Sequence, residues 1–298
     1  MDFQNVLVTG AGGLLGAYTV AALRDHCAVS GLDLLPAEGI PHLVASIEDA
    51  DAVAPACEGR DAVVHIAARP NIWSGSGTEI IRTNVVGTWN VLEAAERAGV
   101  RRVIVTSSDS VIGFTVFEGA MLPPDYLPVD AAHPRRPTDP YALSKKLCED
   151  VALSFADRGR MEVVVLRPVY VLYPEFEAEV RARAADPAGY KGPAAGGRQP
   201  AGGGPMWHYV DPRDVAAAYR CALEAEAPGF GPYFVCGPTT LAPEPTVERL
   251  RTRTGRDAEI RDPALYRDHP HAPLYDLEAA VRGIGFRARH DLRRVLYG

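Results

Sequence analysis

The chain has 298 residues, 47% hydrophobic and 23% charged, which is ordinary globular composition and excludes a disordered or fibrous protein. Its formal net charge is −7, with acidic and basic residues interspersed and no lysine run, so nothing in the charge pattern supports a nucleic-acid partner. No apolar stretch approaches the roughly 20 residues needed to span a bilayer, so no membrane partner is expected.

The first 170 residues alternate short β-type runs with helix-type segments. "NVLVTG" reads as a strand ending at glycine, and "GLLGAYTVAALRDH" as a helix with apolar residues at helical spacing. "AVSGLDLL", "PHLVAS" and "DAVVHIAA" are the next strands. "NVVGTWNVLEAAERAG" is a helix closed by Gly99, "RRVIVTSS" a fifth strand, "DPYALSKKLCEDVALSFADRG" a helix closed by Gly159, and "MEVVVLRPVYV" a sixth strand. Strands separated by helices of this length imply right-handed crossovers and an α/β fold with a doubly wound, mostly parallel sheet.

After Pro174 the pattern changes. A helix over "EFEAEVRARAA" leads into a segment at 186–205 so rich in Gly and Pro that an irregular loop is expected, one able to close over a ligand. "MWHYV" reads as a strand, "DPRDVAAAYRCALEAEA" as a helix, "GPYFVCG" as a strand and "PTVERLRTRTG" as a helix. The organisation expected is a nucleotide domain over 1–174 and a smaller substrate-binding region over 175–298, partly interleaved with it. The arginines at 135–136, around 249–256 and in "RHDLRR" read as solvated faces.

Five widely spaced cysteines, odd in number and without a C-x-x-C pair, argue against a disulfide framework or zinc site and for a reducing cytoplasm; Asp2 stands where a signal peptide would carry a basic residue. "HPH" at 269–271 has metal-ligand residue types but no supporting carboxylate or thiol cluster, so no metal is expected.

Three stretches carry chemistry. Gly10, Gly13 and Gly16 follow a strand and open a helix. That context suits a dinucleotide: glycine permits the tight turn, backbone approach to a pyrophosphate and close packing of helix on sheet. Asp33, at the end of the second strand, stands where a carboxylate accepts from the adenosine ribose. The following "LLPAE" offers no arginine for a 2'-phosphate, so NAD is favoured over NADP. Tyr141 and Lys145 in "YALSK" are four apart on one helix face, and an ammonium near a phenol favours the phenolate, bringing proton exchange toward neutral pH. A hydroxyl in "VTSSDSVIG", at the end of the fifth strand, can donate to a reacting oxygen; Ser108 is favoured over Ser107 and Ser110.

The glycine stretch "TGAGGLLG", "VVHIAA", "NVVGTWNVLEAA", "VTSSDSVIG", "PYALSK", "LRPVYVLYP" and "YVDPRDVAAAY", in this order over nearly the whole chain, resemble the extended short-chain dehydrogenases/reductases of the NAD-dependent epimerase/dehydratase family. The resemblance implies a Rossmann domain holding NAD, a Ser108–Tyr141–Lys145 triad and a C-terminal substrate region. It also implies cofactor contacts at Gly10, Gly13, Leu15, Gly16, Asp33, Ala67, Ala68, Asn84, Tyr141, Lys145 and Pro168, and a homodimer built on helices at 84–97 and 141–157. Two departures stand out. Ser46 and Ile47 occupy the adenine position where relatives often have Asp followed by Ile or Leu. Met206 and Trp207 stand where nucleotide-sugar epimerases usually carry an arginine, which speaks against a nucleotide sugar.

For the substrate, the candidates are Ser74 and Ser76 in "WSGSG", Asp109 and Ser110 beside Ser108, and Tyr170, Trp207 and His208. Each also has a structural reading as loop polarity or packing, as does Arg167, read either as a salt-bridge partner or as a carboxylate clamp. The expected activity is hydride transfer at a secondary alcohol of a sugar or sugar-like molecule. Dehydrogenation is favoured; a nucleotide-sugar 4-epimerase or dehydratase is the alternative, and a non-catalytic NAD sensor the reading from another class.

Overall fold

The computed structural model describes residues 3–114, 121–186 and 206–297. Seven strands form one parallel sheet: β1 (Asn5–Thr9), β2 (Ala28–Asp33), β3 (His42–Val44), β4 (Ala62–His65), β5 (Arg102–Thr106), β7 (Glu162–Pro168) and β8 (Tyr233–Val235), in the order β3-β2-β1-β4-β5-β7-β8. The chain winds outward from β1 in one direction and from β4 in the other. That reversal opens a crevice at the carboxyl ends of β1 and β4, where ligands bind in such sheets.

Alternating residues of each central strand feed two cores. Val6, Val8, Val64, Ile104 and Leu166 pack in one, with residues of α7 (Pro212–Glu224), beside which α1 (Leu14–Leu23) lies. Leu7, Val63, Val103 and Val165 pack in the other, with residues of α2 (Ala50–Cys57), α4 (Gly87–Arg97) and α5 (Pro140–Asp157). Burial on both faces explains why the strands read as continuous apolar runs. Each such side chain contributes about 2 kcal/mol of transfer free energy.

The chain beyond residue 174 does not stay apart. Strand β8 completes the main sheet and α7 covers it, while α6 (Glu177–Ala185), α8 (Thr246–Thr254), α9 (Pro263–Asp268), α10 (Glu278–Ile284) and α11 (Leu292–Tyr297) supply the remainder. A two-stranded pair, β6 (Tyr126–Leu127) with β9 (Glu259–Ile260), ties the segment before α5 to the C-terminal part; α3 (Gly77–Ile81) packs on α5.

Two expectations are corrected. "MWHYV" is not a strand: Trp207 has φ 53°, which breaks an extended run, and only Val210 bridges, to Val171. The arginines expected on solvated faces include Arg249, which is buried and paired with Glu244, and Arg135, which pairs with Glu149 and Asp150. The Gly/Pro-rich segment, from residue 187 to 205, lies outside the described residues.

Candidate active site

Gly10 has φ 78°, and a Cβ there would come within 2.7 Å of the Ala67 backbone nitrogen, so glycine alone lets the exit of β1 cross that of β4. A Cβ on Gly16 would stand 2.0 Å from the Gly10 carbonyl oxygen; helix and loop pack backbone to backbone. Gly13 is the N-cap of α1, with no side-chain cap and no acidic residue in the first turn, which includes Leu15. The positive end of the helix therefore stays unneutralised at the crevice, the arrangement that holds a pyrophosphate. Asp33 Oδ2 accepts from the Gly12 N–H at 3.0 Å and Oδ1 from the Leu35 N–H at 3.1 Å, which fixes the carboxylate beside the loop with lone pairs left for ribose hydroxyls. These features fit a dinucleotide.

Other residues expected at the cofactor act on backbone or packing. The Ala67 N–H donates to the Thr9 carbonyl at 3.1 Å, Ala68 follows it, and Pro168 closes β7 opposite Val235. Asn84 lies in a π-helical turn, Arg82–Val86; its amide donates to Ser144 Oγ at 2.8 Å and to the Arg69 carbonyl at 3.2 Å and accepts from the Arg69 N–H at 2.8 Å. Ser46 Oγ accepts from the Glu48 N–H at 3.1 Å, and Ile47 is buried against Gly87.

Ser108 lies two residues beyond β5 and caps the 3-10 turn Asp109–Ile112, its Oγ accepting from the Ser110 N–H at 3.2 Å. Helix α5 opens on Asp139, whose carboxylate accepts from the Ala142 N–H at 2.8 Å, with Pro140 in its first turn. That start sets Tyr141 and Lys145 on one face. The Tyr141 phenol lies close enough to the Ser108 hydroxyl to be lowered by it, and Lys145 Nζ donates to the Thr106 carbonyl at 2.8 Å, 6.0 Å from the Tyr141 ring centre. All three candidates thus meet at the carboxyl end of β5.

Burial pushes the Tyr141 phenol above its ordinary range; the Ser108 hydrogen bond opposes this and the Asp109 charge adds to it. Burial lowers Lys145, with Cys148 and Glu149 acting in opposition. The expected pull of Lys145 toward a neutral-pH phenolate is therefore not met by the chain alone: the ammonium bonds a carbonyl and the net displacement of the phenol is upward.

Three groups take partners that lie far away in the chain, which no sequence spacing reveals. Asp109 is buried beside Ser108, accepting from Tyr275 Oη at 2.8 Å and from Ser108 Oγ at 3.3 Å. Burial raises its carboxyl to about 6, while these hydrogen bonds pull it down. Glu149, one turn beyond Lys145, accepts from Ser107 Oγ at 2.6 Å and takes both Arg167 Nε at 2.7 Å and Arg167 Nη2 at 2.8 Å. Arg167 is therefore a structural partner tying β7 to α5 and to the serine loop. The third is His65: Thr9 Oγ1 lies 2.7 Å from Nδ1 and Thr88 Oγ1 3.1 Å from Nε2; Thr88 in turn donates to Cys148 Sγ at 3.3 Å. Since Thr88 donates onward to the thiol, Nε2 carries the imidazole proton.

The substrate candidates divide. Ser76 caps α3 in a capping box with Glu79, and Ser74 bonds the Asn71 carbonyl within its own loop, so both hydroxyls serve local structure. The S-x-x-E spacing at 76–79 is the sequence signal for that cap. The Ser110 hydroxyl is buried with no partner among the described residues. Tyr170 accepts from the Val210 N–H through its carbonyl. Trp207 is buried, with the Arg249 guanidinium 5.2 Å from its ring. His208 Nε2 accepts from the Leu274 N–H at 3.2 Å, and burial, then Arg249, push it down to about 3, so it is a neutral ring tilted against Tyr275 at 4.7 Å. Among the described residues no group of three metal-ligating side chains converges.

Comparison with known proteins shows the family. Residues 6–237 match the model of the NAD dependent epimerase/dehydratase family. The chain belongs to that family. The L-arabinose 1-dehydrogenase (NAD(P)(+)) of Haloferax volcanii is 34% identical over 171 residues, 56% of this chain and 67% of that protein. The uronate dehydrogenase of Pseudomonas syringae pv. tomato is 36% identical over 175 residues, 55% of this chain; the match spans only 58% of that enzyme's length. Among solved structures, a short-chain dehydrogenase/reductase superfamily protein from Agrobacterium tumefaciens with bound NAD is 27% identical, with a TM-score of 0.73 over 98% of this chain and 95% of that one. A UDP-glucose 4-epimerase from Thermotoga maritima with UDP-glucose, 20% identical, shares the fold with a TM-score of 0.70 over 98% of this chain and 96% of that one. The family's fold thus carries through the parallel sheet, and Ser108, Tyr141 and Lys145 lie at the carboxyl end of its β5.

Proposed function

We propose that this protein is an NAD-dependent dehydrogenase acting on a secondary alcohol of a sugar or sugar-like molecule. The observation that carries the reading is the placement of Ser108, Tyr141 and Lys145 at the end of β5, in a parallel sheet whose β1 ends in a glycine loop shaped for a pyrophosphate. NAD, which the Gly10–Gly16 loop and Asp33 would hold, would supply the hydride acceptor for the carbinol carbon. Tyr141 exchanges the proton of the substrate hydroxyl, Ser108 holds that oxygen, and Lys145, anchored on Thr106, lies one turn away to orient a ribose. The carboxylate of Asp33 favours NAD over NADP. The relatives that act on arabinose and uronates support the substrate class.

Tyr141→Phe removes the proton carrier while keeping the ring. Purified variant should retain NAD binding and lose turnover by at least about a thousandfold; wild-type rates would refute the mechanism. A substrate stereocentre inverted without net NADH would instead establish the epimerase alternative, and a wild-type protein that binds NAD but changes no substrate would be the sensor.

The assembly we propose is a homodimer through α4 and α5. Val86, Trp89, Leu143 and Leu153 leave an apolar face 38% to 46% exposed there, continuous with a groove of about 670 Å³ lined by Ile81, Val86, Pro140 and Leu143. Trp89→Asp should convert a dimer to a monomer in sedimentation; an unchanged mass would remove this face from the interface. Five free thiols agree with a reducing cytoplasm, and no helix among the described residues is long and apolar enough to cross a membrane.

A further inference from the structure

Asp109 directly follows Ser108 in the chain, and although the Ser110 and Asp109 N–H groups also favour its charged form, its surroundings supply no counter-charge. Its side-chain donors are two neutral hydroxyls, Tyr275 and Ser108, and among the described residues it enters no ion pair. Cys236 and Tyr141 also face it, both kept neutral by burial. Arg167, which lies close enough to act on Tyr275, has its charge taken by Glu149 in a two-point contact. Behind Tyr275 the wall is aromatic, with Phe234 stacked at 4.3 Å and the neutral His208 at 4.7 Å.

The position matters because Asp109 Oδ1 stands 3.3 Å from Ser108 Oγ. An oxygen hydrogen-bonded to Ser108 falls within about 6 Å of that carboxylate. A neighbouring hydroxyl of the same substrate can donate to it, whereas a substrate carboxylate would meet a buried like charge.

We propose that Asp109 is a specificity-determining residue that makes this site select an uncharged polyol or aldose against its carboxylate-bearing counterpart. The inference rests on the dehydrogenase reading for the position of the reacting alcohol, but it concerns binding and is tested by binding.

The test uses matched pairs that differ only at carbon 6, glucose with glucuronate and galactose with galacturonate, titrated calorimetrically into the enzyme saturated with NADH at pH 8, where Asp109 is ionised. The neutral member of at least one pair should bind about tenfold tighter or more, and Asp109→Asn, which keeps the shape and an acceptor for Tyr275, should reduce that preference to within about threefold. The wild-type protein offers a check that needs no variant: because both uronates stay ionised, the same preference should shrink as pH falls from 8 to 5 and the Asp109 carboxyl protonates near 6. Equal binding of both members, a preference for the uronate, binding of neither, or a preference indifferent to both pH and the Asn variant overturns the proposal. Selective binding without NADH formation from any sugar would refute the dehydrogenase reading while leaving this one intact.

Discussion

Replacing Asp109 by Asn should stabilise the protein, by an amount set by pH. Burial carries the Asp109 carboxyl from its ordinary 3.8 to about 6. Between those values the folded protein holds a proton that the unfolded chain has released, so wild-type stability falls as pH rises through that window and levels off above it. A displacement of about two pH units corresponds to about 3 kcal/mol. Asn has no proton to lose and still offers Tyr275 an acceptor, so it escapes this loss. Urea unfolding of both proteins at intervals between pH 4 and pH 8 isolates the contribution, because every other titrating group cancels in the difference. The two should be nearly equal at pH 4, with the variant about 3 kcal/mol more stable by pH 7 and no further divergence to pH 8. A difference independent of pH, or a variant less stable throughout, would show that the carboxylate is better solvated or better bonded than its burial implies.

Two further substitutions test the frame around the site. Glu149→Ala leaves Arg167 buried without its counter-charge and should cost about 3–5 kcal/mol, read as a lowered Tm; an unchanged Tm would mean the pair carries little. Asp33→Ala removes the charge that a 2'-phosphate would meet, so the ratio of NADP to NAD dissociation constants should fall at least about tenfold by fluorescence titration; an unaltered ratio would place the discrimination elsewhere.

What the chain discloses by itself follows the range of its interactions. The glycine spacing is local, and so is the one-turn separation of Tyr141 and Lys145, so strand, loop and helix can be read together. Partners 18 to 166 residues apart, Glu149 with Arg167 and Asp109 with Tyr275, leave no spacing to read. Local signals also mislead where tertiary contacts override them. "MWHYV" has strand composition, yet Trp207 adopts a left-handed conformation under Arg249. Ser76 is the opposite case: its cap is local, and the S-x-x-E spacing that announces it outweighs a ligand role for its hydroxyl. Lys145 is placed correctly on its helix, but which acceptor its ammonium would choose depends on the Thr106 carbonyl from a different strand.

The line from Thr9 through His65 and Thr88 to Cys148 behaves as a strut made wholly of uncharged parts. It joins the exit of β1 to the helix bearing Tyr141 and Lys145. Burial, with the charge of Lys145, keeps the imidazole down to about 3, and burial raises the Cys148 thiol. Between mild acid and mild alkali no member gains or loses a proton, so the spacing between nucleotide loop and reacting side chains is held by a brace that ignores pH. Any pH-dependence of turnover in that range then originates outside this brace, in groups such as Asp109 that do titrate there.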